Sequence, residues 1–150
     1  MKSAHITTGP QETRKIAMNL AYQILKMKPQ ARSKAFLIGL EGDLGGGKTT
    51  FTQGFMRGLG IRKKVLSPTF LIMKRFAIQN SEFSNCYHLD CYRLKKPKEI
   101  LELGFNEIIN NPQNIIVIEW ADRIKRLLPL DTLWIRFDFI NETKRKITIK

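Results

Sequence analysis

Apolar residues recur at two different periods along the chain, and the change of period marks out its elements. Behind Pro10, Ile16, Leu20, Ile24 and Met27, with Ala17 and Ala21, form a stripe at helical spacing that ends before Pro29. Ala35 to Leu40 is a continuous apolar run, the pattern of a strand buried on both faces. A glycine-rich stretch, Gly42 to Gly47, follows it. Phe51, Phe55 and Leu59 then recur every fourth residue, with Gly58 and Gly60 as a stop, which predicts a second helix.

Farther on, Thr69 to Ile78 and Asn85 to Tyr92 are extended in character and separated by the polar Gln79 to Glu82, which predicts an antiparallel hairpin. Pro97 to Leu103 reads as a short helix. Asn114 to Glu119 is a second buried-type strand and ends in a carboxylate. Leu133, Ile135, Phe137 and Phe139 alternate with Trp134, Arg136 and Asp138 as in a half-buried strand. Ile147 and Ile149 are expected to pair back onto it across Asn141 to Thr143, and the Lys-rich surroundings suit a sheet edge. Together these elements predict an α/β fold, a mixed β-sheet with flanking helices. No repeat or linker divides residues 1–150, so a single domain is expected.

Composition narrows the class. With 43% hydrophobic residues the chain can build a core, which excludes wholesale disorder. No run reaches the roughly 18 apolar residues of a membrane-spanning helix. Met1 to His5 does not lead into the apolar run of a signal peptide, and the expectation is a cytoplasmic protein without a membrane partner. Cys86 and Cys91 are too few for a disulfide framework and are read as reduced thiols in or beside a strand. The net charge of +13 favours anionic partners, although a Lys-rich surface serving solubility accounts for it equally well.

Chemistry concentrates in the glycine stretch. Gly42-Asp43-Leu44-Gly45-Gly46-Gly47-Lys48-Thr49 matches G-x-x-x-x-G-K-[ST] in full, with a buried-type strand before it and an amphipathic helix after it. Glycine torsions let successive N–H groups turn around phosphate oxygens at a helix N-terminus, where the dipole also favours anions. Lys48 adds a charge for the β- and γ-phosphates, and Thr49 offers a hydroxyl to Mg²⁺. The expectation is thus a P-loop NTPase-like domain that takes a nucleoside triphosphate with Mg²⁺.

Hydrolysis needs a carboxylate on the metal-and-water side. Glu119 ends an apolar strand which, if parallel to the first, brings it beside the phosphate loop. Asp90 lies in His88-Leu89-Asp90-Cys91-Tyr92-Arg93, where the strand period puts His88, Asp90 and Tyr92 on one face. For Glu119 the alternative is a solvated surface charge. For His88 and Asp90 it is a structural hydrogen-bonded pair.

Four motifs in order, Glu41 to Phe51, Ser67-Pro68-Thr69-Phe70, His88 to Leu94 and Ile118-Glu119-Trp120, closely resemble the bacterial TsaE (YjeE) family. The resemblance runs from the first helix to the final strands. It implies a small ATPase needed for threonylcarbamoylation of the adenosine at position thirty-seven of tRNAs that read codons beginning with A, acting with the TsaB and TsaD proteins. It assigns Gly42, Asp43, Leu44, Gly45, Gly46, Gly47, Lys48, Thr49 and Thr50 to the ATP phosphates, and Thr49 also to Mg²⁺. Asp90 and Glu119 go to the metal and water. It further implies that Ser67-Pro68-Thr69 is a switch-like loop near the γ-phosphate, and that Thr13 approaches the adenine. Trp120 is either beside the nucleotide or a partner, or simply buried. Gly46 departs from the alanine common in the family and should cost only some loop rigidity.

Two other readings use the same loop. A small metabolite kinase needs an arginine-rich lid, and Arg62, Lys63 and Lys64 supply only one arginine. A nucleic-acid adaptor using ATP as a clamp would draw on the +13 charge. A GTPase is disfavoured because no Asn-Lys-x-Asp occurs. If tRNA is contacted directly rather than through partners, the first candidate surface is Lys144, Arg145, Lys146 and Lys150, and the second is Arg62, Lys63 and Lys64.

Overall fold

The computed structural model describes residues 1–43, 45, 47–64, 72–79 and 81–150. Seven strands form one sheet: β1 (Ser3–Thr7), β2 (Phe36–Gly42), β3 (Met73–Ala77), β4 (Asn85–Asp90), β5 (Asn114–Glu119), β6 (Leu133–Phe139) and β7 (Arg145–Ile149). Their spatial order is β1-β7-β6-β2-β5-β4-β3. The centre is parallel, with β2 between β5 and β6 and with β4 beside β5. Both margins are antiparallel. The all-apolar stretches at β2 and β5 sit where both sheet faces are covered, as their patterns require.

Strand alternation divides the core in two. Phe36, Ile38, Leu40, Ile115, Val117, Ile135 and Phe137 pack beneath α1 (Pro10–Leu25) and α2 (Lys48–Gly58). Leu37, Ile116 and Ile118 pack on the other face with α3 (Phe105–Ile109) and the 3₁₀ segments Pro97–Leu103 and Ala121–Leu127. The two long helices meet closely. A methyl group added at Gly54 would stand 2.5 Å from the Arg14 Cα and carbonyl oxygen, so a side chain there would force α1 away.

Two expectations change, and a third is met in its described part. The final strand is not an edge: β1 pairs with β7 from Ser3↔Ile149 to Thr7↔Arg145 and takes the outer position. Only Thr7 of β1 is buried, so its sequence carries no apolar alternation to reveal it. Pro97–Leu103 winds as 3₁₀ rather than α-helix and is followed by the unexpected α3 across Gly104. The hairpin forms between β3 and β4, while the first part of its predicted first arm, residues 69–71, lies outside the described residues. Among the described residues no helix is long and apolar enough to cross a membrane. Cys86 and Cys91 are both free and buried.

Candidate functional site

At the C-terminal ends of the parallel strands, a pocket of about 310 Å³ is lined by Gly45, Gly47, Lys48, Thr49, Thr50, Asp90, Tyr92, Glu119 and Trp120. Open parallel sheets carry their ligands at this edge because the strand-to-helix turns diverge there. The chain leaves β2 at Gly42 with φ 131°, and a Cβ at that position would lie 2.0 Å from the Phe137 carbonyl oxygen. Only glycine can make this exit. Asp43 follows, its N–H donating to the same Phe137 carbonyl at 3.3 Å, and Gly47 then caps α2, accepting the Phe51 N–H at 2.8 Å. Leu44 and Gly46, and with them Ser67, Pro68 and Thr69, lie outside the described residues.

Lys48 opens α2 and is only 5% exposed. Its Nζ donates to the carbonyls of Gly42 at 2.8 Å and Asp43 at 2.7 Å, which leaves one of its three N–H bonds for a ligand. The Trp120 ring centroid lies 4.1 Å from the same nitrogen. Burial pushes the Lys48 ammonium below its ordinary value, against the pull of Glu119, Asp122, Asp43 and Asp90. A bound polyphosphate would offset that loss of hydration, so the geometry is suited to an anionic ligand.

Glu119 is where the strand reading put it, and it is 2% exposed rather than solvated. Register places it opposite Leu40 of β2 on one side and Asp90 of β4 on the other. One carboxylate oxygen accepts the Thr49 hydroxyl at 2.7 Å, and the other accepts His88 Nε2–H at 2.6 Å. His88 therefore bonds the carboxylate on the neighbouring strand rather than Asp90, two residues along its own. Asp90 accepts the Tyr92 backbone N–H at 3.0 Å and lines the pocket beside Glu119. Thr50 lines it as well. Thr13 is 3% exposed, donates its hydroxyl to that of Thr7 at 3.2 Å, and has its methyl 3.9 Å from the position of a Gly47 Cβ. Its methyl thus lies beside the last residue of the loop, and Thr13 is not among the described residues lining the pocket.

Aromatic packing completes the site. Trp120, neither free surface nor closed core, is the one described non-glycine residue with positive φ, at 57°. Such a conformation costs about 1–3 kcal/mol and persists only where the surroundings impose it. Here Tyr92 packs at 4.9 Å between ring centroids, and Lys48 lies against the indole. Arg145 reaches in from β7, its Nε–H donating to the Gly45 carbonyl at 2.9 Å. The motifs gave no sign of this last contact, because the two residues are a hundred positions apart.

The model of the family described as threonylcarbamoyl adenosine biosynthesis protein TsaE matches residues 7–147. The chain belongs to the TsaE family. It is 38% identical to the tRNA threonylcarbamoyladenosine biosynthesis protein TsaE of Bacillus subtilis, over 95% of this chain and 81% of that protein. Its identity to the TsaE of Rickettsia felis is 37%, over 96% and 77% of the two chains. The crystal structure of Bacillus subtilis YdiB superposes with a TM-score of 0.75 at 34% identity, covering 99% of this chain and 84% of the other. A TsaE family member takes part in threonylcarbamoyladenosine synthesis on tRNA, and the complete phosphate loop accords with a nucleotide-binding protein. The family assignment leaves little room for the metabolite-kinase reading. Arg62, Lys63 and Lys64 line a different cleft, which has no described lining residue in common with the phosphate pocket.

Proposed function

We propose that this chain binds ATP with Mg²⁺ at the loop from Gly42 to Thr50 and hydrolyses it while serving TsaB and TsaD in tRNA threonylcarbamoylation in the cytoplasm. The supporting observation is the buried Glu119 carboxylate, held at one oxygen by Thr49 and at the other by His88, at the mouth of a phosphate loop. Two fixed hydrogen bonds keep that carboxylate in one orientation, so little reorganisation is needed when it accepts a hydrogen bond from an attacking water.

The remaining roles follow from chemistry and place. Backbone N–H groups at the start of α2 receive phosphate oxygens, and Lys48 directs its third N–H to the β- and γ-phosphates. Thr49, Glu119 and Asp90 offer hydroxyl and carboxylate oxygens, the hard donor set that Mg²⁺ prefers. These side chains would hold the ion, and its charge would be spread over the terminal phosphates. Trp120 and Tyr92 wall the pocket and keep bulk water from Lys48. Thr69 is retained as a contact near the γ-phosphate and Thr13 as one on the adenine side, both on family likeness.

Phosphate release measured with the protein alone, and with TsaB and TsaD in the presence or absence of tRNA, tests the reading. Free phosphate in any of these mixtures supports it. Transfer of the phosphate to a small metabolite would establish a kinase instead, and tight ATP binding without turnover in the full mixture would establish a clamp.

A further inference from the structure

Away from the phosphate pocket, a cleft of about 770 Å³ lies alongside the C-terminal half of α2. Arg14 of α1, Arg57 in the last turn of α2, and Arg62, Lys63 and Lys64 beyond it line this cleft together with Gln53 and Ile61. A second hollow of about 600 Å³ shares Ile61, Arg62 and Lys63 with it and adds Arg75 of β3. Six cations from three elements and one connecting segment thus face a continuous concave surface. No described residue lining either hollow is acidic.

The side-chain partners described for two of them are neutral. Arg14 donates to the side-chain oxygen of Gln53 at 3.3 Å and Arg75 to that of Asn85 at 2.8 Å. The salt bridges among the described residues, Arg32–Asp131, His88–Glu119 and Arg136–Asp138, involve none of the six. One cation near the end of α2 is explained by the helix dipole. Six converging with no carboxylate among the described lining residues repel one another, and folding gives no reason to gather them.

The occupant can be read from the charge of the surface and from its described lining. Protein interfaces gain most of their energy from apolar and aromatic anchors at the centre of the patch. Of the described apolar residues lining this surface, Ile61 and Phe76 are 8% and 4% exposed and belong to the core, and Ala77 is exposed but offers only a methyl group. None of the described exposed large hydrophobic residues, such as Leu130 or Phe139, lines it. Guanidinium and ammonium groups gathered at this density match a phosphodiester backbone, which is bound through charge and counterion release.

The C-terminal cluster is less suited. Strand alternation puts Arg145 on the sheet face of the buried Ile147 and Ile149, and Lys146 and Lys150 on the opposite face. Arg145 is moreover engaged with Gly45.

We infer that the surface formed by Arg14, Arg57, Arg62, Lys63, Lys64 and Arg75 binds the phosphate backbone of RNA directly, at a site separate from the nucleotide pocket. The choice of RNA rests on the family's role in tRNA modification, whereas ATP hydrolysis plays no part in the measurement. The two can therefore fail independently.

The test is fluorescence anisotropy of labelled tRNA titrated with the full-length protein alone, from low to physiological salt. The variant is Arg57→Gln/Arg62→Gln/Lys63→Gln, and the control is Lys95→Gln/Lys96→Gln/Lys98→Gln, which removes three exposed charges by the Pro97–Leu103 segment. With each lost phosphate contact flattening the log–log salt slope by about 0.7–0.9, the cleft variant should lose about two units of slope and about tenfold or more in affinity. The control should stay within about twofold, and calorimetry should show ATP affinity retained in both. Equal losses in the two triple variants would overturn the proposal, since the charge would then act only as a general field. It would also be overturned if the unaltered protein bound no tRNA by itself, or if a purified acidic partner protein, and not RNA, lost affinity in the cleft variant.

Discussion

Removal of His88 should weaken the fold measurably, because it is the donor that satisfies one oxygen of an almost fully buried carboxylate. His88 and Glu119 are 1% and 2% exposed, so their 2.6 Å bond is shielded from bulk solvent. In His88→Ala the abandoned acceptor costs about 2 kcal/mol. Loss of the packed imidazole adds about 1 kcal/mol, for a total near 3 kcal/mol. With a denaturant slope of about 2 kcal/mol per molar urea, the unfolding midpoint should fall by about 1.5 M. His88→Gln can bring an amide N–H to the position of Nε2 and should recover about half of the loss. In a Glu119→Gln background the same alanine substitution should cost less, so the double-mutant cycle should give a coupling of about 1 kcal/mol or more. Urea unfolding followed by circular dichroism reads all five proteins, the unaltered one included. A midpoint shift under 0.3 M for His88→Ala, on that slope about 0.6 kcal/mol, would refute the reasoning and demote the bond to a neutral contact.

Other substitutions probe separate parts of the structure. Lys48→Ala should weaken ATP binding by about 100-fold or more in calorimetry, since it removes the one buried ammonium at the loop; unchanged affinity in the folded variant would place the nucleotide elsewhere. Gly54→Ala should destabilise by about 2 kcal/mol in urea unfolding, because its methyl meets the α1 backbone at 2.5 Å, and a neutral result would mean that α1 shifts freely. Burial raises both cysteine thiols, Cys91 to about 12 and Cys86 further. The folded state then favours the neutral thiol, so this contribution to stability is complete below the ordinary thiol value of 9.0 and falls as pH rises above it. Neither cysteine should react with a maleimide or disulfide reagent at pH 8 until urea unfolds the chain, and rapid labelling of the native protein would contradict their burial.

What the sequence disclosed depended on how local the cause was. β5 was legible to the residue because a strand buried on both faces must be apolar throughout, and the break at its end, Glu119, is where the chemistry lies. The phosphate loop was legible because its torsions demand glycine within a few positions. β1 was not, since an edge strand exposed on most of its length has no periodic pattern, and missing it made β7 look like the margin. The 3₁₀ winding of Pro97–Leu103 is likewise decided by packing rather than propensity. Alternation correctly placed His88 on the face of Asp90, but its bond to Glu119 spans 31 residues and exists only because β4 and β5 are parallel neighbours. The left-handed torsion of Trp120 and the reach of Arg145 to Gly45 belong to the assembled site and have no local signature.

Glu119→Gln tests the central claim most directly. The amide keeps size and polarity and can still bond Thr49, so calorimetry should show ATP affinity within about threefold of the unaltered protein. Phosphate release with TsaB, TsaD and tRNA should meanwhile fall by about 100-fold or more, as expected when the group that orients water is lost. Full turnover by this variant in the assembled mixture would contradict the account.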